Sequence, residues 1–110
     1  MTLLQQRNRD RASLRESERS EVRRRLRSAL GELFPGRTIW VFGSLTRPGD
    51  FHAGSDVDVG VEELPDDLSH YAVTAMLEEA VRRPVDVILL GESRLRRKIL
   101  DTGEPWTLSV

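Results

Sequence analysis

The chain has no cysteine, a single lysine, few aromatic residues and no long apolar run. The absence of cysteine excludes disulfide bonds and thiolate metal sites, and it is typical of a cytoplasmic protein. The longest apolar stretches, residues 39–42 and 87–90, are too short to span a bilayer, so no membrane association is expected. Residues 1–10 contain no apolar run followed by a small-residue cleavage site, so no secretory signal is expected.

Charged residues are abundant instead, at 32% of the 110 residues. This composition and length predict one globular domain over residues 12–110, preceded by a flexible N-terminus at residues 1–11. Residues 1–30 are strongly basic. No aromatic residues are interleaved with these arginines, so solvation of a helix is favoured over nucleic-acid binding. For the cluster at residues 23–27, contact with an acidic partner is the alternative.

The pattern of apolar residues predicts the order helix, strand, loop, strand, helix, strand, helix. The first helix is expected at residues 12–33 with Ser13 as N-cap, and the second between Pro65 and Pro84. The strands are expected at residues 38–42, 55–61 and 85–90, and the last helix at residues 93–100. This order is typical of an α/β (α+β) domain of two layers, with helices packed mainly on one face of the sheet.

The same patterns predict which residues are buried. In the second helix the predicted apolar stripe comprises Leu68, Tyr71, Ala72, Ala75, Met76 and Ala80. Trp40 and Trp106 are both expected in the core. The strand at residues 85–90 is apolar on both faces except for Asp86, which favours a central strand.

A pair of carboxylates, Asp56 and Asp58, is two residues apart on a predicted strand. Both side chains therefore project from the same face, where two like charges are unfavourable unless a cation lies between them. Magnesium is the natural candidate, because it prefers oxygen ligands and shares them with substrate phosphates. A solvated edge strand with acids on its wet face is the alternative.

A third carboxylate, Asp86, interrupts an otherwise apolar strand. A charge in such a strand needs compensation, and a partner arginine (Arg82, Arg83 or Arg94) would supply it. If Asp86 instead lies beside Asp56 and Asp58, the three carboxylates form one site for hard cations. Two magnesium ions there would stabilise the entering and leaving oxygens of an in-line displacement, and Asp86 could serve as a general base.

The residues Gly43 and Ser44 directly follow a predicted strand. A glycine there lets the backbone approach a phosphate closely, and the serine hydroxyl can donate to its oxygens. Arg47 could hold a terminal phosphate as a bidentate donor. An ordinary turn is the alternative.

Together these residues resemble a known family. Gly43-Ser-Leu-Thr-Arg47, a loop, and Ser55-Asp-Val-Asp-Val59 are similar to the signature of the DNA-polymerase-beta-type nucleotidyltransferases, within them the minimal nucleotidyltransferase (MNT) group. The third carboxylate in Pro84-Val-Asp-Val-Ile88 also matches, and the resemblance covers roughly residues 20–108. The chain departs from the usual pattern in Pro48 after Arg47 and in a slightly longer loop to Ser55.

The resemblance implies a small mixed sheet and transfer of a nucleoside monophosphate, AMP from ATP or another NTP, onto an acceptor hydroxyl. It implies that Asp56, Asp58 and Asp86 are catalytic and bind two Mg²⁺ ions. It further implies that the nucleotide is bound by Gly43, Ser44, Arg47 and Ser55. Minimal members resemble antitoxins paired with a helical HEPN ribonuclease toxin, so a HEPN-type partner protein is the expectation for the acceptor.

The alternative from a different class is an antitoxin-like binding module that neutralises such a toxin without catalysis. Under that hypothesis the aspartates are dispensable, and the helix carrying Val22, Leu26 and Leu30, or the C-terminal segment, contacts the partner.

Overall fold

The computed structural model describes residues 1–110 and contains three α-helices and four β-strands. The helices are α1 (Leu3–Leu33), α2 (His70–Val81) and α3 (Arg96–Thr102). The strands are β1 (Thr38–Phe42), β2 (Val57–Val61), β3 (Val85–Leu89) and β4 (Glu104–Thr107). Short 3₁₀ turns at Gly43–Thr46 and Leu90–Glu92 follow β1 and β3.

The strands form one mixed sheet in the order β3-β2-β1-β4. Strand β1 is antiparallel to both β2 and β4, whereas β2 and β3 are parallel. The parallel pair requires a crossover, and α2 supplies it. The prediction of an α+β domain with a small mixed sheet is confirmed.

The two faces of the sheet are covered differently. Alternate residues of β1 and β2, such as Ile39, Val41 and Val59, point to one face, where they form the main core with α1 and α2. On the other face, a Cβ added at Gly60 would lie 2.9 Å from Leu90 and 3.2 Å from Ile99 of α3, so α3 packs closely there. That second face is otherwise open beside Asp58, which is only partly buried.

The first helix begins nine residues earlier than the periodicity predicts. Thr2 is its N-cap, and the Thr2 hydroxyl and the Gln5 side chain form the capping box that was expected at Ser13. Residues 3–17 are exposed, so no apolar periodicity marks this half of the helix. This half is helical because it is rich in Leu, Gln, Arg and Ala, which have high helix propensity. The flexibility expected of residues 1–11 stays a prediction.

The second helix begins later than predicted, at His70 after the N-cap Ser69, and it buries a different stripe. Its buried residues are Val73, Leu77 and Val81, whereas Tyr71 is 82% exposed. The predicted stripe containing Tyr71 is therefore wrong. Both stripes have helical spacing, and the β-branched and leucine side chains pack more apolar surface than the alanines of the other stripe.

The sheet edges also differ from the sequence prediction. Strand β3 is an edge strand rather than a central one, and β4 was not predicted at all. Pro105 lies within β4, which is compatible with its position on the other edge. The last helix covers Arg96–Thr102 rather than residues 93–100.

The two tryptophans have different environments. Trp106 is only 2% exposed, so its predicted core position is confirmed. Trp40 lies on the open face of the sheet and is only partly buried, so its predicted core position is wrong. The alternation of β1 decides this, because Ile39 and Val41 already occupy the core face.

The molecule is elongated, with extents of 55 × 27 × 23 Å, because the first half of α1 extends beyond the sheet. None of the helices combines the length and the apolar character needed to cross a membrane.

Candidate active site

Two of the predicted carboxylates lie side by side on adjacent strands. Asp58 of β2 is the register partner of Asp86 of β3, and Phe42 of β1 is opposite Asp58 on the other side. Asp56 immediately precedes β2. The structure therefore brings the three aspartates to one end of the open sheet face, with Asp58 in the middle.

Their proximity has an electrostatic effect on Asp58. Burial raises the pKa of this carboxyl above its ordinary value, and the negative charges of Asp86 and Asp56 raise it further. Desolvation and like charges both favour the protonated form of a carboxyl. The raised pKa of Asp58 therefore shows that the three aspartates concentrate negative charge, which a bound cation would neutralise.

No cationic side chain neutralises this group of aspartates. Arg83, one of the arginines considered as a partner of Asp86, instead forms an ion pair with Glu18 at 2.6 Å. None of the eight ion pairs of the structure contains Asp56, Asp58 or Asp86. In this structure the three carboxylates are not close enough to one another to form a preformed three-ligand metal site.

The turn after β1 approaches Asp58 very closely. Gly43 has a φ of +75°, and a Cβ built on it would lie 2.4 Å from the Asp58 Oδ2 atom. Only glycine fits this position, both for its backbone conformation and for its space. Gly43 therefore borders the Asp58 carboxylate directly, and the partly exposed Ser44 is the next residue of the same turn.

Two arginines of α1 hold this turn from the other side, and sequence reasoning missed both roles. The carbonyl oxygen of Leu45 accepts hydrogen bonds from Arg19 Nε at 2.8 Å and from Arg23 Nη1 at 3.3 Å. Arg23 also pairs with Glu104 of β4 and lies over the Trp106 ring. Hydrogen bonding from Arg23 lowers the pKa of Glu104.

The arginine cluster at residues 23–27 is therefore not a uniform solvated face. Arg23 and Arg27 both lie over Trp106, with the Arg27 guanidinium carbon 4.3 Å from the ring centroid. Arg24 and Arg25 pair with Glu21 on the exposed side of α1. Nothing in the sequence distinguishes these arginines, since sixteen occur in the chain.

The loop before Asp56 is anchored by Arg83. Its Nη1 atom donates to the carbonyl oxygens of Ser55 at 3.0 Å and of His52 at 3.2 Å. Its guanidinium carbon lies 4.5 Å from the ring centroid of Phe51, a buried residue of the same loop. Together with the Glu18 pair, these contacts tie α1 and the end of α2 to the backbone next to Asp56.

Replacing Arg83 with methionine is therefore expected to misplace Asp56. We expect a loss of stability of about 2 kcal/mol, the magnitude of losing hydrogen bonds from a charged donor. If the aspartates bind magnesium and the protein transfers a nucleotide, as the family resemblance implies, we also expect a transfer rate about tenfold lower and a higher magnesium requirement. Magnesium titrations of activity, with urea unfolding alongside, measure both effects.

The neighbouring Arg82 provides a matched control, because its side chain is exposed and makes no ion pair. Arg82→Met should leave the magnesium requirement unchanged. An equal response of the two variants would contradict the positioning role of Arg83.

Two other predicted nucleotide-binding residues have partners within the loop. The Ser55 hydroxyl is buried and accepts a hydrogen bond from the His52 amide at 3.0 Å. Arg47 donates from Nε to Asp50 at 2.7 Å, but more than half of its side chain is exposed. Contact of either residue with a nucleotide stays a prediction.

A cavity of about 390 Å³ lies between the turn after β1 and α3. Its lining residues are Phe42, Gly43, Thr46, Arg47, Leu95, Lys98, Ile99 and Thr102. Because Gly43 contacts both the cavity and the Asp58 carboxylate, the cavity opens next to the aspartates. Its size is within the range of small-molecule sites.

A mixed sheet that brings three carboxylates together, bordered by a glycine-serine turn and a cavity, has the features of an enzyme that transfers phosphorus-containing groups. Residues 23–104 match the model of the nucleotidyltransferase domain family, and the chain belongs to this family. It is a nucleotidyltransferase, an enzyme that transfers a nucleoside monophosphate.

One solved structure that the chain resembles is described as a toxin–antitoxin with AMP-PNP. The TM-score is 0.60 and the sequence identity 25%, over 76% of this chain and 72% of that one. No curated protein sequence matches the chain.

Proposed function

We propose that this enzyme moves AMP from ATP, or the corresponding group from another NTP, onto an acceptor hydroxyl and releases pyrophosphate. The observation that supports this most strongly is the pairing of Asp58 with Asp86 beside Gly43. Asp56, Asp58 and Asp86 are the proposed catalytic and metal-binding residues. Gly43, Ser44, Arg47 and Ser55 are the proposed nucleotide-binding residues.

The chemistry of the site suits Mg²⁺. All three candidate ligands are carboxylates, which magnesium prefers, and no arginine or lysine pairs with them. Crowding of like charges around the partly buried Asp58 is the condition that a divalent cation relieves. Bound there, two magnesium ions would neutralise charge on the entering and leaving oxygens.

The chain's own residues orient the reactants. The Gly43–Ser44 turn lets the backbone approach the α-phosphate, because Gly43 carries no side chain that would block Asp58. Asp86 is exposed at the sheet edge, where an acceptor can reach it and transfer its hydroxyl proton to the carboxylate. The acceptor oxygen then bonds to the α-phosphorus, the α–β phosphoanhydride bond breaks, and pyrophosphate leaves.

The acceptor in this proposal is a partner protein of HEPN type in the cytoplasm. In this proposal residues 12–110 are the transferase domain. The similar structure of a toxin–antitoxin with AMP-PNP supports both a nucleotide substrate and a partner protein.

Intact-mass analysis after co-expression with the product of the adjacent reading frame tests this proposal. We expect the partner to become heavier by whole nucleotidyl units with the wild-type enzyme. With Asp56→Asn, we expect an unmodified partner, because a ligand carboxylate is lost while the fold is kept. An unmodified partner in both samples would overturn the proposed acceptor.

A binding-only antitoxin is the second candidate function, and one observation favours it. The exposed first half of α1 carries apolar side chains without an intramolecular partner, among them Leu3 (72% exposed) and Leu14 (70% exposed). Val22, Leu26 and Leu30 of the same helix are buried in the core, so the exposed residues of α1 would make the contact. If Asp56→Asn protects cells from the toxin as well as wild type does, neutralisation needs no catalysis.

A further inference from the structure

The only lysine of the chain, Lys98, lies on the cavity beside the carboxylates. Leu95, Ile99 and Thr102 line the same cavity, at the spacing of one helical face. Helix α3 therefore directs one cationic side chain toward the space that opens at Gly43.

The neighbouring cations of α3 are engaged elsewhere. Arg96 forms a bidentate pair with Glu62 at 2.8 and 2.9 Å. Arg97 is 94% exposed and is 3.9 Å from Asp101. Lys98 forms no ion pair and faces a cavity whose other wall carries Arg47. Arg47 also pairs with Asp50, but more than half of its side chain is exposed, so the cavity has one unpaired cation and one exposed cation that suit a polyanion.

We propose that this cavity binds the β- and γ-phosphates of the NTP, and that Lys98 holds them together with Arg47. This inference rests on the proposed function. An α-phosphate at Gly43 and the aspartates leaves the next two phosphates to enter the adjoining cavity. Lysine suits the role because its ammonium is a compact charge with three donors.

The same contact helps the reaction. When the α–β phosphoanhydride bond breaks, its electron pair goes to the departing pyrophosphate oxygen. The positive charge of Lys98 stabilises that developing negative charge, whereas the acceptor proton goes to Asp86. Charge stabilisation by a fixed group that needs no proton transfer is a common means of lowering such barriers.

Because Lys98 is the only lysine, its reactivity can be measured directly. Limited acetylation with sulfosuccinimidyl acetate modifies only Lys98 and the α-amino group of Met1. Met1 is 70% exposed at the start of α1 and provides an internal control. We expect ATP with magnesium, and tripolyphosphate with magnesium, to protect Lys98 but not Met1. Adenosine should protect neither.

Each outcome decides the proposal. Protection by adenosine but not by tripolyphosphate would assign the cavity to the base and overturn it. Calorimetric binding of ATP without protection of Lys98 would overturn this inference while leaving the proposed function intact. Absence of binding of any NTP would overturn both.

Substitutions give an independent test. We expect Lys98→Gln to raise KM for ATP about tenfold, as loss of one charge-assisted contact does, and Lys98→Arg to restore most of the binding. Arg97→Gln removes the same charge one residue away, on the outer side of α3, and should leave KM unchanged. Equal KM values for wild type and Lys98→Gln would contradict the proposal.

Discussion

Replacing Asp58 with asparagine is expected to reduce nucleotidyl transfer by roughly 1,000-fold or more while raising the thermal stability of the protein. Asp58 is the central member of the three aspartates, so the substitution removes the proposed metal ligand that lies beside Asp86. Asparagine has the same shape, and it therefore keeps the close packing against Gly43. Single-turnover rates and melting curves without metal measure the two effects.

The gain in stability follows from the raised pKa of Asp58. A carboxyl with a raised folded-state pKa stabilises the fold while it is protonated, below its ordinary pKa, and this contribution is lost as the pH rises through the raised value. At neutral pH the charged Asp58 of the wild type is repelled by Asp86 and Asp56, whereas the neutral asparagine of the variant is not. Because Asp58 is only partly buried, solvent screens part of this repulsion, so we expect the Tm values to differ by about a few degrees at neutral pH and not at low pH.

Magnesium should reverse this order. A ligand that binds only the folded state raises the free energy of unfolding by RT ln(1 + [L]/Kd), so magnesium should raise the Tm of the wild type but hardly that of Asp58→Asn. A wild-type Tm that does not respond to magnesium, together with unchanged activity of the variant, would remove the metal site from this proposal.

Replacing Gly43 with alanine is expected to reduce kcat/KM by about 100-fold or more and to destabilise the fold by about 1–2 kcal/mol. The stability loss comes from the φ of +75°, which alanine adopts unfavourably. The activity loss comes from the new methyl group, which would lie 2.4 Å from Asp58 Oδ2 and must displace either the carboxylate or the turn. Steady-state kinetics and urea unfolding measure the two losses separately.

Gly49 is a matched control for this substitution. Its φ is +91°, but no atom lies within 4 Å of the position that a Cβ would occupy. Gly49→Ala should therefore lose a similar amount of stability and keep its activity within about twofold. If both variants lose activity equally, the contact between Gly43 and Asp58 is not what the turn contributes.

The carboxylates and the turn could be identified from the sequence because their signals are local. Spacing of two residues places Asp56 and Asp58 on one side of an extended segment, and a glycine-serine pair after a strand marks a turn. The family resemblance depends on these short motifs, and the match over residues 23–104 confirms it. The roles of the individual site residues stay predictions until they are tested.

The burial of side chains was less predictable, and α2 shows why. Two stripes on that helix have helical spacing, and only packing against the sheet selects the one containing Val73 and Leu77. Strand β4 is similar, because Glu104–Thr107 contains a proline and few β-favouring residues. Its pairing with β1, at register contacts such as Ile39 with Trp106, makes it a strand.

By itself the sequence determined the class of fold and the family, and it predicted the residues of the site, since composition, periodicity and motif spacing are properties of neighbouring residues. Only the tertiary structure decided which distant side chains meet. The β2–β3 register places Asp86 beside Asp58, Arg83 reaches the loop before Asp56, and α3 brings Lys98 to the cavity. These contacts depend on strand order and helix packing, which are established by the burial of the whole core. No short sequence motif encodes them, because the residues concerned are far apart in the chain.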